Sequence, residues 1–206
     1  MTALGPAEVD ALFRRREEPV RELAEQAGEV AAACLDMAAR FRRGGKLIAF
    51  GCGGASTDAQ HVAVEFVHPV IVGKPALPAI SLTSDVATVT AIAAREGMGF
   101  AFARQLRLLA EPADIALGIC TGPGIAGRAG DDGVLAGLSA ARDLGLLTVA
   151  LAGAGGGGLA GSPDVDHLLL CSSGDPRIVK EIQVTTYHVL WELVHVFLEQ
   201  PQGVVA

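Results

Sequence analysis

Residues 46–66 read KLIAFGCGGASTDAQHVAVEF. The apolar run Lys46 to Phe50 has glycines on both sides, Gly44-Gly45 before it and Gly51, Gly53 and Gly54 after it. That length and punctuation predict a strand buried on both faces. A helix is predicted from about Thr57 to Val67, so the stretch reads strand, glycine-rich turn, helix. In a parallel α/β sheet such a unit delivers its loop to the carboxyl ends of the strands, where ligands bind. Glycines let the backbone approach a ligand closely, and the free N–H groups of the following helix favour an anion. The same residues also suit a tight turn with Ser56, Thr57 or Asp58 as an ordinary helix cap.

Upstream, the first 43 residues read as helix. Pro6, Ala7 and Glu8 make a good first turn, and Leu12, Val20, Leu23, Val30, Cys34, Met37 and Phe41 recur at helical spacing. The segment has room for two helices or one long bent one, ended by Gly44-Gly45. Downstream, strands are predicted over 77–82, 115–120, 146–151 and 165–171. Helices are predicted over about 99–110, 134–144 and 177–199, and Thr83-Ser84-Asp85 is a cap cluster opening one more. Strand and helix alternate throughout, which predicts one α/β domain over 1–206: an N-terminal helical segment (1–45), an α/β core (46–175) and a C-terminal helix (176–199). Parallel neighbours need crossover helices, so the sheet is parallel with helices on both faces.

The composition agrees. Half of the 206 residues are hydrophobic, 19% are charged, 4% are aromatic and 26 are glycine. Such a chain builds an aliphatic core and is not disordered. With a net charge of −7 and no basic patch, direct nucleic-acid binding is not predicted. Arg14-Arg15-Arg16 is followed at once by Glu17-Glu18 and reads as a solvated face. Four scattered cysteines without a CxxC pair, no apolar leader and no long apolar run predict a cytoplasmic chain that does not span a membrane. No nucleotide cofactor is expected. Gly51-x-Gly-x-x-Ser56 lacks the third glycine of the dinucleotide fingerprint, and no full helix follows Gly153-x-Gly-x-x-Gly158 before Pro163.

His61 and Glu65 lie four apart on the first core helix, hence on one face. They suit a surface contact, ligands to one metal, or a base with its orienter. The last helix is apolar on most sides, as expected for a buried or subunit-facing element. Its Glu181, Thr185, His188, Glu192, His195 and Glu199 share one stripe, which suits a solvated face. His188 and Glu192 repeat the His61–Glu65 spacing, so a second metal site within this helix is also open.

Together these residues resemble the phosphoheptose isomerase branch of the sugar isomerase (SIS) domain family. The resemblance rests chiefly on Gly-x-Gly-Gly-x-x-x-Asp-Ala-x-His-x-Ala-x-Glu at Gly51 to Glu65, and on Ser84-Asp85, Ala140-Ala-Arg142, Leu159-Ala-Gly161 and a C-terminal histidine helix. It implies a flavodoxin-like sheet, a homotetramer with sites at subunit contacts, and a phosphorylated sugar as substrate. The implied reaction interconverts sedoheptulose 7-phosphate and the matching aldoheptose 7-phosphate. Glu65 would be the base of an enediol mechanism and His188 its acid/base counterpart. Gly51, Cys52, Gly53, Gly54, Ser56, Ser84, Asp85 and Thr121 would bind substrate, and zinc would sit on His61, Glu65 and His188. The chain departs from the family in the loop after the third strand. The usual Ser-Thr-Ser-Gly-Asn-Ser is replaced by a longer stretch, Cys120 to Asp132, in which Thr121 survives and Arg128 offers charge. Lys180 also stands where a glutamine often completes the zinc site. These departures suit an alternative, a non-catalytic SIS protein of the DnaA initiator-associating type that binds a sugar phosphate or a protein partner.

Overall fold

The computed structural model describes residues 5–122 and 129–200. The N-terminal segment forms α1 (Pro6–Arg14), α2 (Glu17–Glu25) and α3 (Ala27–Arg42). The core follows as β1 (Leu47–Gly51), α4 (Gly54–Val67), β2 (Ala79–Ser81), α5 (Val86–Glu96), α6 (Ala101–Leu109), β3 (Ile115–Ile119), α7 (Ala129–Asp143), β4 (Leu147–Ala152) and β5 (His167–Leu170). The last element is α8 (Pro176–Glu199). The sheet order is β2-β1-β3-β4-β5 and every neighbouring pair is parallel. This is the expected flavodoxin-like, five-stranded parallel sheet. The strand order reverses at β1, so the crevice of a doubly wound sheet opens beyond the carboxyl ends of β1 and β3.

The three central strands, β1, β3 and β4, are buried on both faces, and alternate side chains divide between two cores. Leu47 and Ala49, Ile115, Leu117 and Ile119, and Leu147, Val149 and Leu151 face the layer of α3, α4 and α8. Ile48 and Phe50, Ala116, and Ala150 and Ala152 face the layer of α6 and α7. Uninterrupted apolar runs such as LIAF and IALGI are the sequence form of strands covered on both sides. Among the described residues, no helix is long and apolar enough to cross a membrane. No disulfide joins the four cysteines.

The N-terminal segment differs from expectation in having three helices. One break lies at Arg15-Arg16 and lets Pro19 fall in the first turn of α2, where its missing N–H costs nothing. The other lies at Gln26, whose side chain leaves the helix path to pair with β5. Its Nε2 donates to the Leu170 carbonyl at 2.8 Å, and its Oε1 accepts from the Leu170 N–H at 2.9 Å. β5 is an edge strand, and this amide satisfies backbone groups that an edge leaves open. Helix α4 begins at Gly54, three residues earlier than expected, and α7 begins at Ala129, five residues earlier. The stripe on α8 is not one solvated face. His195 is fully buried, its ring tilted against Trp191 with centroids 4.6 Å apart and its ring nitrogens at the Trp191 and Pro75 carbonyls.

Candidate active site

Strand β1 ends at Gly51, where a Cβ would sit 2.8 Å from the Ile119 carbonyl oxygen and 2.8 Å from the Ala55 Cβ. Any side chain here would push β3 and α4 away from the switch point. Gly53 has φ +59°, a conformation L side chains rarely adopt, and it turns the chain into α4. Ser56 Oγ donates back to the Gly53 carbonyl at 2.7 Å, and Thr83 Oγ1 donates to the Ser56 carbonyl at 3.0 Å. The loop is therefore tied to the end of β2.

Of the residues expected to bind substrate, Gly51, Cys52, Gly53 and Ser56 line a common cavity of ≈ 200 Å³, walled by Thr83, Val89 and Phe102. Thr121 lines a different, larger cavity of ≈ 350 Å³ with Gly122, Gly153, Ser173 and Pro176. Ser84 and Asp85 line neither. Asp85 caps α5, accepting from the Thr88 N–H at 3.0 Å and the Thr88 hydroxyl at 2.6 Å, and these bonds hold its carboxyl below the usual range. Gly54 offers its carbonyl to Lys180 Nζ at 2.9 Å. Arg128 and the rest of 123–128 lie outside the described residues.

His61, Glu65 and His188 converge from α4 and α8. One ligand atom from each lies within 4.8 Å of the others. Among the described residues this is the one cluster of three or more potential metal-ligating side chains, and Glu192 is not part of it. Glu65 is buried, while the His61 side chain is 43% exposed. His61 Nε2 lies 3.1 Å from Glu65 Oε1, and the His61 and His188 rings meet edge to face at 5.2 Å. A carboxylate and two imidazoles are groups that can take and return protons near neutral pH, and they also suit a divalent cation.

Three further residues surround this cluster. Tyr187 is fully buried in α8, and its hydroxyl lies 2.8 Å from His61 Nδ1. Burial, with the charges of Asp58 and Glu65, pushes its ionisation upward, so it stays a neutral phenol. Lys180 Nζ meets both oxygens of buried Asp58 at 2.6 Å. It also donates to Thr57 Oγ1 at 3.2 Å. The ammonium is thus engaged by a carboxylate one turn of α4 before His61. Sequence reasoning counted Tyr187 among the apolar residues of the last helix and Asp58 among ordinary caps. For Asp58 two signals existed: it is the aspartate of the family pattern from Gly51 to Glu65, and it shares one face of α4 with His61 and Glu65. Gln183, near the Lys180 position, points elsewhere and donates to the Cys120 carbonyl at 2.6 Å.

Comparison with known proteins places this arrangement. The family model for the SIS domain matches residues 13–153. A phosphoheptose isomerase of Desulfovibrio desulfuricans is 39% identical over 176 residues, covering 85% of this chain and 80% of the relative. One from Roseiflexus sp. is 40% identical over 177 residues, covering 84% of each. Among solved structures, a phosphoheptose isomerase from Francisella tularensis superposes with TM-score 0.84 at 27% identity, covering 94% of this chain and all of that one. One from Neisseria gonorrhoeae gives TM-score 0.80 at 25% identity over 91% of this chain and 97% of that one. With the flavodoxin-like sheet, the glycine turn and the histidine–glutamate cluster in place, the chain belongs to the SIS domain family, on its phosphoheptose isomerase branch.

Proposed function

We propose that this protein is an aldose–ketose isomerase acting on a phosphorylated sugar, sedoheptulose 7-phosphate being the substrate its relatives imply. The observation that carries the reading is the convergence of His61 and Glu65 from α4 with His188 from α8, within 4.8 Å of one another. The reaction needs a base to remove the proton from the carbon next to the carbonyl and an acid to protonate the carbonyl oxygen. The base then returns its proton to the neighbouring carbon of the enediol as the other hydroxyl loses its proton to become the new carbonyl, with no net oxidation. Glu65 is the base and His188 the acid/base partner at oxygen. Glu65 Oε1 faces His61, which leaves Oε2 for the carbon-bound proton. The backbone of Gly51 to Gly54 and the Ser56 side chain border the sugar, and Thr121 lies where the sheet receives the phosphate end.

Zinc fits the donor set. Two imidazoles and a carboxylate are ordinary zinc ligands, and three protein ligands leave a position open as catalytic sites do. The three donor atoms already lie within 4.8 Å of one another, so small side-chain adjustments would let them meet one ion. Lys180 does not oppose this, because its charge is engaged by Asp58. His61, Glu65 and His188 would hold the ion, which would supply polarisation of the substrate carbonyl. The exposed apolar side chains along α1 and after α4 support the homotetramer, and four cysteines joined by no disulfide suit a cytoplasmic setting.

The test is a coupled assay with sedoheptulose 7-phosphate on wild type and Glu65→Gln. Turnover should fall by about 10²–10⁴ in the variant, while substrate affinity changes little. A wild-type protein that is folded, zinc-loaded and oligomeric yet shows no turnover sinks this reading. Retained binding of the sugar phosphate without turnover would instead favour the non-catalytic SIS protein, the reading suggested by the altered loop from Cys120 to Asp132.

A further inference from the structure

We propose that Tyr187 is a positioning residue of this site: its phenol fixes the ring of His61 so that Nε2 faces Glu65 and His188, and in the metal-free protein it donates to Nδ1 so that Nε2 carries the hydrogen. The inference rests on the reading of His61, Glu65 and His188 as the working cluster. His61 has a problem that Glu65 does not. Its side chain is 43% exposed, so packing alone does not fix its ring. An imidazole free to turn would present carbon rather than nitrogen to its neighbours in some orientations. The neighbour that restrains it is rigid. Tyr187 has no exposed surface, lies in the core shared by α3, α4 and α8, and contacts the edge of the His61 ring with centroids 5.5 Å apart. It also abuts His188, with ring centroids 4.9 Å apart. One side chain therefore sets the placement of both imidazoles.

The hydroxyl adds something that packing does not. A phenol both donates and accepts. When Tyr187 donates to His61 Nδ1 across 2.8 Å, Nε2 carries the hydrogen and donates to Glu65 Oε1 across 3.1 Å. When Nδ1 carries the hydrogen and donates to the phenol oxygen, Nε2 offers its lone pair to the point where Glu65 and His188 meet. In the first state His61 orients the carboxylate, and in the second it is a ligand for a cation. The partner on the far nitrogen selects the tautomer of a metal-binding histidine, and its loss typically weakens metal affinity about 10–100-fold. Tyr187 holds the ring in the same place in both states. Phenylalanine would keep the ring packing and lose both hydrogen bonds.

The experiment is nitrogen NMR of the histidine side chains in the full-length protein, metal-free and after zinc addition, for wild type and Tyr187→Phe. Wild-type, metal-free His61 is expected as a single tautomer with hydrogen on Nε2, and zinc is expected to convert it to the tautomer with hydrogen on Nδ1. In Tyr187→Phe the metal-free ring should average between tautomers. Zinc affinity, read by competition with a chromophoric chelator, should fall about tenfold or more. Where wild type turns over substrate, kcat should fall about tenfold with KM within about twofold. An exchanging mixture in metal-free wild type overturns the proposal even if the variant fails to fold. So does a folded variant with unchanged His61 signals and zinc affinity. A merely structural tyrosine would lower the melting temperature and leave both readouts unmoved. Absence of wild-type turnover counts against the isomerase reading alone, because the metal-free tautomer is measured without it.

Discussion

Asp58 is buried on α4, and Lys180 Nζ meets both of its oxygens at 2.6 Å from 122 residues away. A buried carboxylate stripped of its cation keeps its desolvation penalty, so removing the lysine costs more than the pair contributes net. Lys180→Met should therefore destabilise the fold by about 1–3 kcal/mol, the lysine head being partly open to water. For a chain of this size that is a melting-temperature fall of roughly 3–10 °C. Adding Asp58→Asn should recover part of the loss, because the orphaned charge is then gone. Scanning calorimetry on the two single variants and the double variant checks this, and strictly additive losses would contradict it. The sequence disclosed this region unevenly. His61 and Glu65 stand out as a helical pair at spacing four, and the glycines mark the turn by themselves. His188 is one of two histidines on its helix, and only the family resemblance selects it. Tyr187 and Lys180 carry no local signal, since what defines them is a partner on another helix more than 120 residues distant in the chain.

At the scale of elements, the strands were the most legible part, because burial on both faces writes an uninterrupted aliphatic run into the chain. The break between α2 and α3 was not legible. Its cause is the pairing of Gln26 with Leu170 on β5, a contact across 144 residues. The same pair of elements carries a second clamp. His167, at the start of β5, places Nδ1 2.9 Å from Glu29 Oε1 and Nε2 2.8 Å from Asp36 Oδ2, both carboxylates on α3. Burial alone would lower the pKa of this imidazole, but the hydrogen bonds to Glu29 and Asp36 outweigh it, and the pKa is raised. The sign of the pH effect follows. An unfolded histidine titrates near 6.5 and the folded one higher, so the clamp contributes fully below about pH 6.5 and is lost as pH climbs through the folded pKa. Wild type should accordingly exceed His167→Gln in melting temperature most at pH 6, with the gap closing toward pH 9. A gap that is constant across that range would show that His167 contributes packing and no charge.

At the scale of the whole molecule, the described chain leaves apolar side chains exposed on and just after α4, the helix that carries His61 and Glu65. The segment after α4 is anchored at its base: Lys74 Nζ pairs with Glu199 Oε1 at 2.7 Å, the Pro75 carbonyl lies 3.0 Å from His195 Nε2, and the Leu77 N–H donates to the Phe66 carbonyl at 2.8 Å. Yet its tip holds Val70, Ile71 and Val72 in water, the last fully exposed, and Val64 and Val67 are exposed along α4 on either side of Glu65. Phe13 on α1 is likewise 69% exposed. Exposed apolar side chains gathered on and beside an anchored segment are what a subunit contact is expected to present. If sites lie at subunit contacts, as the family resemblance implies, covering these side chains would dry the sites and strengthen every electrostatic interaction within them. Light scattering on wild type should therefore find four chains per particle. Val70→Asp with Val72→Asp should shift the mass to a smaller species and lower kcat. The His61 tautomer set by Tyr187 should persist, because that contact lies within one chain. A dissociated protein with undiminished turnover would separate assembly from catalysis, and an unchanged tetramer would assign the contact to another face, such as that of Val9, Leu12 and Phe13 on α1.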